Sequence, residues 1–489
     1  MEKVSLSVLV PAYNEELMIG ESLKRLLVLG DSPHLSKVQV IIVNDASTDD
    51  TRQEIEKFLH EMKDKYHHFD WIHLDHEHNL GKGKAVQTAL AHATGEISII
   101  HDADLEYYPK DILKMLPLFI EERADAVFGS RFAASEFRRV LMFRHELGNR
   151  LITFLCNLVS NLNLTDIETC YKAVRTRLLV SIPLESNDFR IEAELTIKLA
   201  KRKAKIFEVP INYSGRSYQE GKKIRWKDGV RAIGAIIRFG WSDHIFKGDP
   251  LESKMLMGLS RAKKFNHWMA DTIRPFIGRD ILEIGSGIGN ITQELMAGKH
   301  YYASDINSFY LEMIDKFRLH NPRLDTVFLD VKDVSPDSRP TGRFDTVICL
   351  NVIEHLDNDR QAMKNISALL KDGGKAIILV PRGKWLYGSQ DEVLGHKRRY
   401  TDAMIRELEG EGGLQLAELI GFNKSSVLPW FINGRMFRKR TFSRVQIGIL
   451  DAFIPLIKRI DNYLPWPPLS LIAVFEKRRG NKDFAKSTP

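Results

Sequence analysis

Short apolar runs alternate with longer amphipathic stretches from the first residues onward. Ser5–Val10 and Val38–Val43 are almost continuously apolar and predict buried strands of a largely parallel sheet; Ile97–Ile100 predicts another. Between them, Glu16–Leu29 and Asp50–Tyr66 place apolar residues at helical spacing, with N-cap chemistry at Asp49-Asp50-Thr51 for the second. Such alternation predicts an α/β domain. The pattern lapses from Ser242 to Arg261, where Gly, Pro, Met and charge mix without a period. It resumes with strands expected at Asp280–Ile284, His300–Ser304, Thr326–Leu329, Thr346–Leu350 and Ala376–Val380. A tight turn at Lys371–Lys375 leads into the last of these, giving the layout of a doubly wound nucleotide-binding sheet. The expected organisation is two α/β domains, 1–245 and 262–480, joined by a linker at 246–261.

The 489 residues exceed what one core accommodates, since domains run to roughly 100–200 residues. The net charge of +7 gathers in Lys201–Lys205, Gly221–Lys227 and Arg435–Arg440, which suit lipid headgroups or a diphosphate, or simply form solvated faces. No RNA-binding motif accompanies them, so no nucleic-acid partner is expected. Cys156, Cys170 and Cys349 are scattered without a CxxC pair, which argues for a reducing compartment and against a zinc site or a disulfide framework. A strand begins at once after Met1, so no signal peptide is expected. The longest apolar stretch, Leu151–Thr165, falls short of the about 20 residues that span a bilayer. A cytoplasmic protein with peripheral membrane contact is the expectation. The tail Val445–Phe475, rich in Ile, Leu, Phe and Pro, reads as a core-capping helix or as an amphipathic helix on the membrane.

Candidate chemistry in the first half lies where its strands end. Val10–Glu16 closes the first strand and Val43–Asp49 the second, so both loops would line one crevice. There Pro11, Tyr13 and Glu15 face Asp45; Tyr13 offers a stacking surface and Asp45 an acceptor for a base or ribose. Asn79–Lys84 brings backbone amides and the Lys82 charge to the same crevice. Asp102-Ala103-Asp104 follows the third run directly, and paired carboxylates at a strand end suit a divalent ion carrying a diphosphate.

This ordered set, extended by Gly129–Phe132, Asp166–Lys172 and Glu208–Arg216, resembles family 2 glycosyltransferases over roughly residues 4–240. It is similar to the polyprenol-phosphate hexose synthase branch, typified by dolichyl-phosphate mannosyltransferases. The resemblance implies a GT-A fold and inverting transfer of a hexose from a nucleotide sugar, of GDP-mannose or UDP-glucose type, to a polyprenyl phosphate. It also implies Mg²⁺ or Mn²⁺ held by Asp102 and Asp104 with Glu106 as a further ligand, and Arg131 and Arg216 neutralising phosphates. Lys222 and Lys223 are weaker candidates for that task. Asn44 and Ala46 depart from the aspartate and glycine more usual in the second loop.

In the second half, Glu283-Ile284-Gly285-Ser286-Gly287-Ile288-Gly289 follows a strand and fits either a dinucleotide fold or a methyltransferase. Asp305 ends the next strand, where an acid reads ribose hydroxyls, and Asp330 ends the one after. Phe344–His355 then closes a fourth strand. This order resembles class I S-adenosylmethionine-dependent methyltransferases, Rossmann-like in fold, over roughly residues 262–410; a hydride-transfer Rossmann enzyme is the alternative. The resemblance implies that Gly285, Gly287 and Gly289 contact the methionyl part, Asp305 the ribose and Asp330 the adenine region. Asn351 would then begin the substrate-facing loop. Glu354-His355 looks like a metal pair only superficially, because no second histidine follows at helical spacing; His355 serves as a base or as a helix cap. Gly395–Tyr400, basic and aromatic, is either a grip for an anionic acceptor or a turn before a helix at Asp402–Glu409. The expectation is a bifunctional transferase. Its alternative is a glycosyltransferase with a soluble saccharide acceptor, whose C-terminal half senses a cofactor or docks without catalysis.

Overall fold

The computed structural model describes residues 3–62, 65, 68–133, 139–140, 143–216, 226–247, 250–333, 342–440 and 443–478. Lys222 and Lys223 lie outside them. The chain divides into two compact units, 1–247 and 248–489.

The first unit is built on a seven-stranded mixed sheet. Its strands are β1 (Val4–Ala12), β2 (Leu35–Asn44), β3 (Phe69–Asp75), β4 (Ile97–Ile100), β5 (Ala126–Ser130), β6 (Lys172–Arg175) and β7 (Ile206–Pro210). They run in the order β3-β2-β1-β4-β6-β5-β7, with β6 antiparallel to both neighbours. Register levels the strand ends: Ala12 pairs with Asn44 and Leu9 with Ile100. The loops after β1, β2 and β4 therefore open along one edge. The expected strand positions in β1, β2 and β4 hold, whereas β3 is only half-buried and offers no apolar run to read. The stretch from Glu16 to Leu29 is a helix only over Ile19–Arg25, then tightens to a 3₁₀ run, Leu26–Asp31. Lys201–Lys205 is a solvated patch only at the exposed Lys203 and Lys205. Lys201 donates to the carbonyls of Phe239, Gly240 and Ser242 at a helix end, and buried Arg202 lies 4.1 Å over the Phe246 ring.

The second unit holds another seven-stranded sheet: β8 (Asp280–Ile284), β9 (His300–Asp305), β10 (Leu324–Phe328), β11 (Phe344–Leu350), β12 (Leu370–Pro381), β13 (Leu414–Phe422) and β14 (Ser470–Lys477). The order is β10-β9-β8-β11-β12-β14-β13, parallel except at β14, which is antiparallel to β12 and β13. The end of the apolar tail is thus a buried strand inside the sheet, not a surface helix. Its earlier part is the helix Arg444–Ile460, capped by the Ser443 side chain. The stretch 250–261, which lacked periodicity, is also helical; a Cβ at Gly258 would stand 2.7 Å from Ile447, so it packs on that helix. Among the described residues no helix is long and apolar enough to cross a membrane.

Candidate active sites

At the carboxyl edge of the first sheet, Asp102 and Asp104 leave β4 in a loop fixed from below. His101 is buried between Ser22 and Tyr171, 3.2 and 3.1 Å away, and the Ser22 hydroxyl donates to the Asp104 carbonyl. Burial, with help from the Arg25 charge, pushes the His101 imidazole down to about 3, so it is a neutral hydrogen-bonding strut. Two cations bridge the carboxylates. Lys82 Nζ lies 2.8 Å from Asp102 and 3.1 Å from Glu192. Arg216 reaches Asp104 at 2.7 Å, Glu106 at 3.0 Å and Glu15 at 3.5 Å. Burial opposes the charge on Lys82, yet Asp102 and Glu192 outweigh it and hold the ammonium above its ordinary range. Burial first, then the charges of Asp102 and Glu106, push the Asp104 carboxyl up to about 7 against the pull of Arg216. Asp102 and Asp104 offer hard oxygens of the kind that Mg²⁺ or Mn²⁺ takes, held here by Lys82 and Arg216.

Glu106 is differently employed. One oxygen accepts from Tyr213 at 2.5 Å and the other from the Arg216 backbone and side chain, so it ties the Arg216 loop down. Arg131, expected at phosphate, closes instead on Asp166: Nε and Nη2 donate at 2.6 and 2.8 Å within the core. Asp45 is also spoken for. Its oxygens accept from His76 Nδ1 and from the Leu80 and Gly81 amides at 2.6–2.9 Å, which pins the Lys82 loop. Tyr13 stays half-exposed, and Pro11, one residue before the end of β1, pairs with Val43. The Asn14 and Ala46 turns that carry these loops take φ of 51° and 54°, and the Asn14 side chain joins them by accepting from the Thr48 amide at 2.8 Å. Sequence reasoning assigned no role to Glu192 or His76, which come from distant segments without a motif of their own, nor to His101 and Tyr213, which sit inside or beside quoted motifs but show their contacts only in the fold.

In the second sheet, Ile284 pairs with Ser304 and with Cys349, so the turn after β8, Asp305 and Asn351 share one edge. Gly285, Gly287 and Gly289 all have positive φ. A Cβ at Gly285 would strike Val352 at 2.4 Å and one at Gly289 would strike Phe317 at 2.7 Å, whereas Gly287 meets only Leu256, at 3.6 Å. The first and third glycines are thus demanded by packing, and the middle one leaves the open approach a nucleoside cofactor requires. Asp305 accepts from the Gly287 amide at 2.8 Å, and burial raises its carboxyl above the usual range. Glu283 lies beneath the turn, where burial pushes its carboxyl up to about 7 while Thr292 and Tyr301 donate to it. It holds the strand end from within. Asp330 is half-buried and accepts from the Lys332 amide. Asn351 is exposed at φ 54°.

Residues 7–182 match the family model for glycosyl transferase family 2, and residues 282–376 match that for a methyltransferase domain. The chain carries both domains. Among curated relatives, the glycosyltransferase AglJ of Haloferax volcanii is 30% identical over 212 residues, 43% of this chain and 63% of that protein. The UDP-N-acetylglucosamine–dolichyl-phosphate N-acetylglucosaminyltransferase of Methanococcus voltae is 28% identical over 229 residues, 44% of this chain and 89% of that protein. Among solved structures, glucosyl-3-phosphoglycerate synthase of Mycobacterium tuberculosis with Mn²⁺ and UDP covers 48% of this chain and 80% of its own, at 20% identity and TM-score 0.38. The YcgJ protein of Bacillus subtilis covers 44% of this chain and 99% of its own, at 14% identity and TM-score 0.31.

In the methyltransferase domain the strap Gly395–Tyr400 has its cations spent internally. Lys397 pairs with Asp357, Arg398 with Asp359, and buried Arg399 with Asp391, so the strap is no free anion grip. It delivers His396 to Glu354 and His355 instead.

Proposed function

We propose that the glycosyltransferase domain moves a hexose from a nucleotide sugar to a polyprenyl phosphate, and that the methyltransferase domain methylates that product or a related glycan- or lipid-linked acceptor. The carrying observation is an exposed apolar face on the glycosyltransferase domain. Phe143, Leu147, Leu151, Phe154 and Leu158 form one stripe of the helix Phe143–Ser160, and Val230, Ile237 and Trp241 lie exposed on the helix Trp226–Trp241 packed against it. Phe143 is 79% exposed, Leu158 71% and Trp241 70%, and a face so apolar suits the boundary of a bilayer, where the acceptor resides. The name of the Methanococcus voltae relative supports a lipid-phosphate acceptor. Peripheral contact from the cytoplasmic side accords with this reading.

Asp102 and Asp104 would hold Mg²⁺ or Mn²⁺, which supplies charge stabilisation for the departing nucleoside diphosphate. Lys82 and Arg216, which neutralise those carboxylates in this structure, would turn to donor and acceptor phosphates. A lipid phosphate is anionic at neutral pH, so the domain needs to orient it rather than deprotonate it. In the methyltransferase domain, Gly287 and Asp305 would receive the methionyl part and ribose of S-adenosylmethionine, with Asp330 toward the adenine.

The test supplies radiolabelled nucleotide sugars and polyprenyl phosphate in vesicles and follows label into organic solvent. Label should partition with lipid, and Phe154→Glu with Leu158→Glu should lose that transfer while keeping nucleotide-sugar binding. Label appearing only in a water-soluble saccharide would overturn the lipid acceptor. Methyl-labelled S-adenosylmethionine should mark the same lipid product; no transfer of methyl to any fraction would leave the C-terminal half as a sensing or docking module.

A further inference from the structure

We propose that Glu354, His355 and His396 form a site for one divalent transition-metal ion of the zinc class in the methyltransferase domain. Each offers a ligand atom, and the three atoms lie within 4.8 Å of one another. Glu354 is fully buried, and neither of its carboxylate oxygens has a hydrogen-bond partner. Leaving such a group unsatisfied costs several kcal/mol unless a proton or cation meets it.

The histidines are presented as ligands are. His396 Nδ1 donates to Asp391 at 2.8 Å, which fixes its tautomer and turns the Nε2 lone pair toward Glu354 Oε1, 3.7 Å away. A carboxylate that orients the far nitrogen is the usual support of a metal-bound imidazole. Two acceptors facing each other at this distance leave room for an ion, since ligands about 2.0–2.2 Å from a tetrahedral metal stand roughly 3.3–3.6 Å apart. His355 Nδ1 donates to the Gly395 carbonyl at 3.2 Å, and the two imidazoles meet edge to face with centroids 5.0 Å apart. The nearby cation, Arg399, is committed: Nε donates to Asp391 and Nη1 to the Arg382 carbonyl. Arg399 therefore leaves the Glu354 oxygens open to an ion.

Two nitrogens and a carboxylate suit zinc-class ions and leave a coordination position open. The site adjoins the cofactor turn, because Val352, two residues before Glu354, is the side chain against Gly285. Resting on the methyl-transfer reading, the open position would take an oxygen of the acceptor. A bound hydroxyl yields its proton to solvent more readily. The O–CH₃ bond then forms as the S–CH₃ bond breaks, and the bonding pair stays on sulfur.

The test uses the full chain carrying Asp102→Asn and Asp104→Asn, which removes the other carboxylate cluster, dialysed against chelator. Titration with Zn²⁺ by calorimetry should show one tight equivalent, and Co²⁺ should give a visible absorption band of nitrogen ligation. His355→Ala and His396→Ala, each shown to melt cooperatively, should weaken binding by more than about 10-fold, the least that loss of even a supporting group costs. His355 is only half-buried, so its variant keeps the test open if His396→Ala fails to fold. Absence of a tight equivalent, or histidine variants that bind as the parent does, would overturn the site. S-adenosylmethionine binding is measured separately: a chain that takes metal but ignores the cofactor keeps the site and refutes the methyl-transfer reading.

Discussion

Arg131 separates two accounts of the glycosyltransferase domain. If it clamps phosphate, its loss weakens ligand binding and spares the fold; if it is a core ion pair, the reverse holds. Asp166 is wholly buried and takes 2.6 and 2.8 Å bonds from the Arg131 side chain, retaining only backbone donors at 3.1 and 3.2 Å without it. Burial raises the Asp166 carboxyl, but the Arg131 charge overcomes this and holds it below the usual range. Arg131→Met deletes two charge-assisted bonds of about 1.5–3 kcal/mol each, and breaking a buried pair costs about 3–5 kcal/mol. Amide hydrogen exchange read by peptide reports each unit separately. Peptides spanning β5 should exchange roughly 100- to 4000-fold faster, at about 1.4 kcal/mol per decade, while those spanning β8 stay unchanged. Adding Asp166→Asn should recover part of the loss, because the uncompensated charge is gone. Unchanged exchange in β5 together with weakened nucleotide-sugar binding would refute the structural role.

Ala46 holds a left-handed φ of 54°, which costs about 1–2 kcal/mol, so Ala46→Gly should stabilise the first unit by about 0.5–1 kcal/mol after the entropy of glycine, read by urea unfolding. A Cβ at Gly81, φ 95°, would stand 2.4 Å from the Asn187 carbonyl, so Gly81→Ala should displace Lys82 and lower nucleotide-sugar affinity at least tenfold by calorimetry, roughly 1.4 kcal/mol. Glu283 has its carboxyl raised to about 7 from an ordinary value near 4.3, so the folded unit prefers the neutral acid. The stability this contributes is full below about pH 4.3 and lost as pH rises to about 7, and Glu283→Gln should flatten that slope in urea unfolding at pH 5 and 8.

Most of the fold was legible because strands buried on both faces leave apolar runs that need no partner to be recognised. β1, β2, β4, β8 and β11 announce themselves this way, and the turns that follow them hold the residues of the two candidate sites. β3 was not legible, since its half-buried side chains lack such a run. Nor was the destiny of the tail: the same Ile, Leu and Phe residues suit a membrane helix or a sheet interior, and pairing of Ser470–Lys477 with β12 and β13 decided it. Sequence determined which residue types reach each site, because loops at level strand ends share an edge. Only tertiary structure decided which charges were already spent. Arg131 is taken by Asp166 and Asp45 by the Leu80 and Gly81 amides, whereas Glu354, which had no histidine at helical spacing, receives one from a strap some forty residues on. Ion pairing and hydrogen bonding act over a few ångströms in space and are blind to separation along the chain, so no local pattern records them.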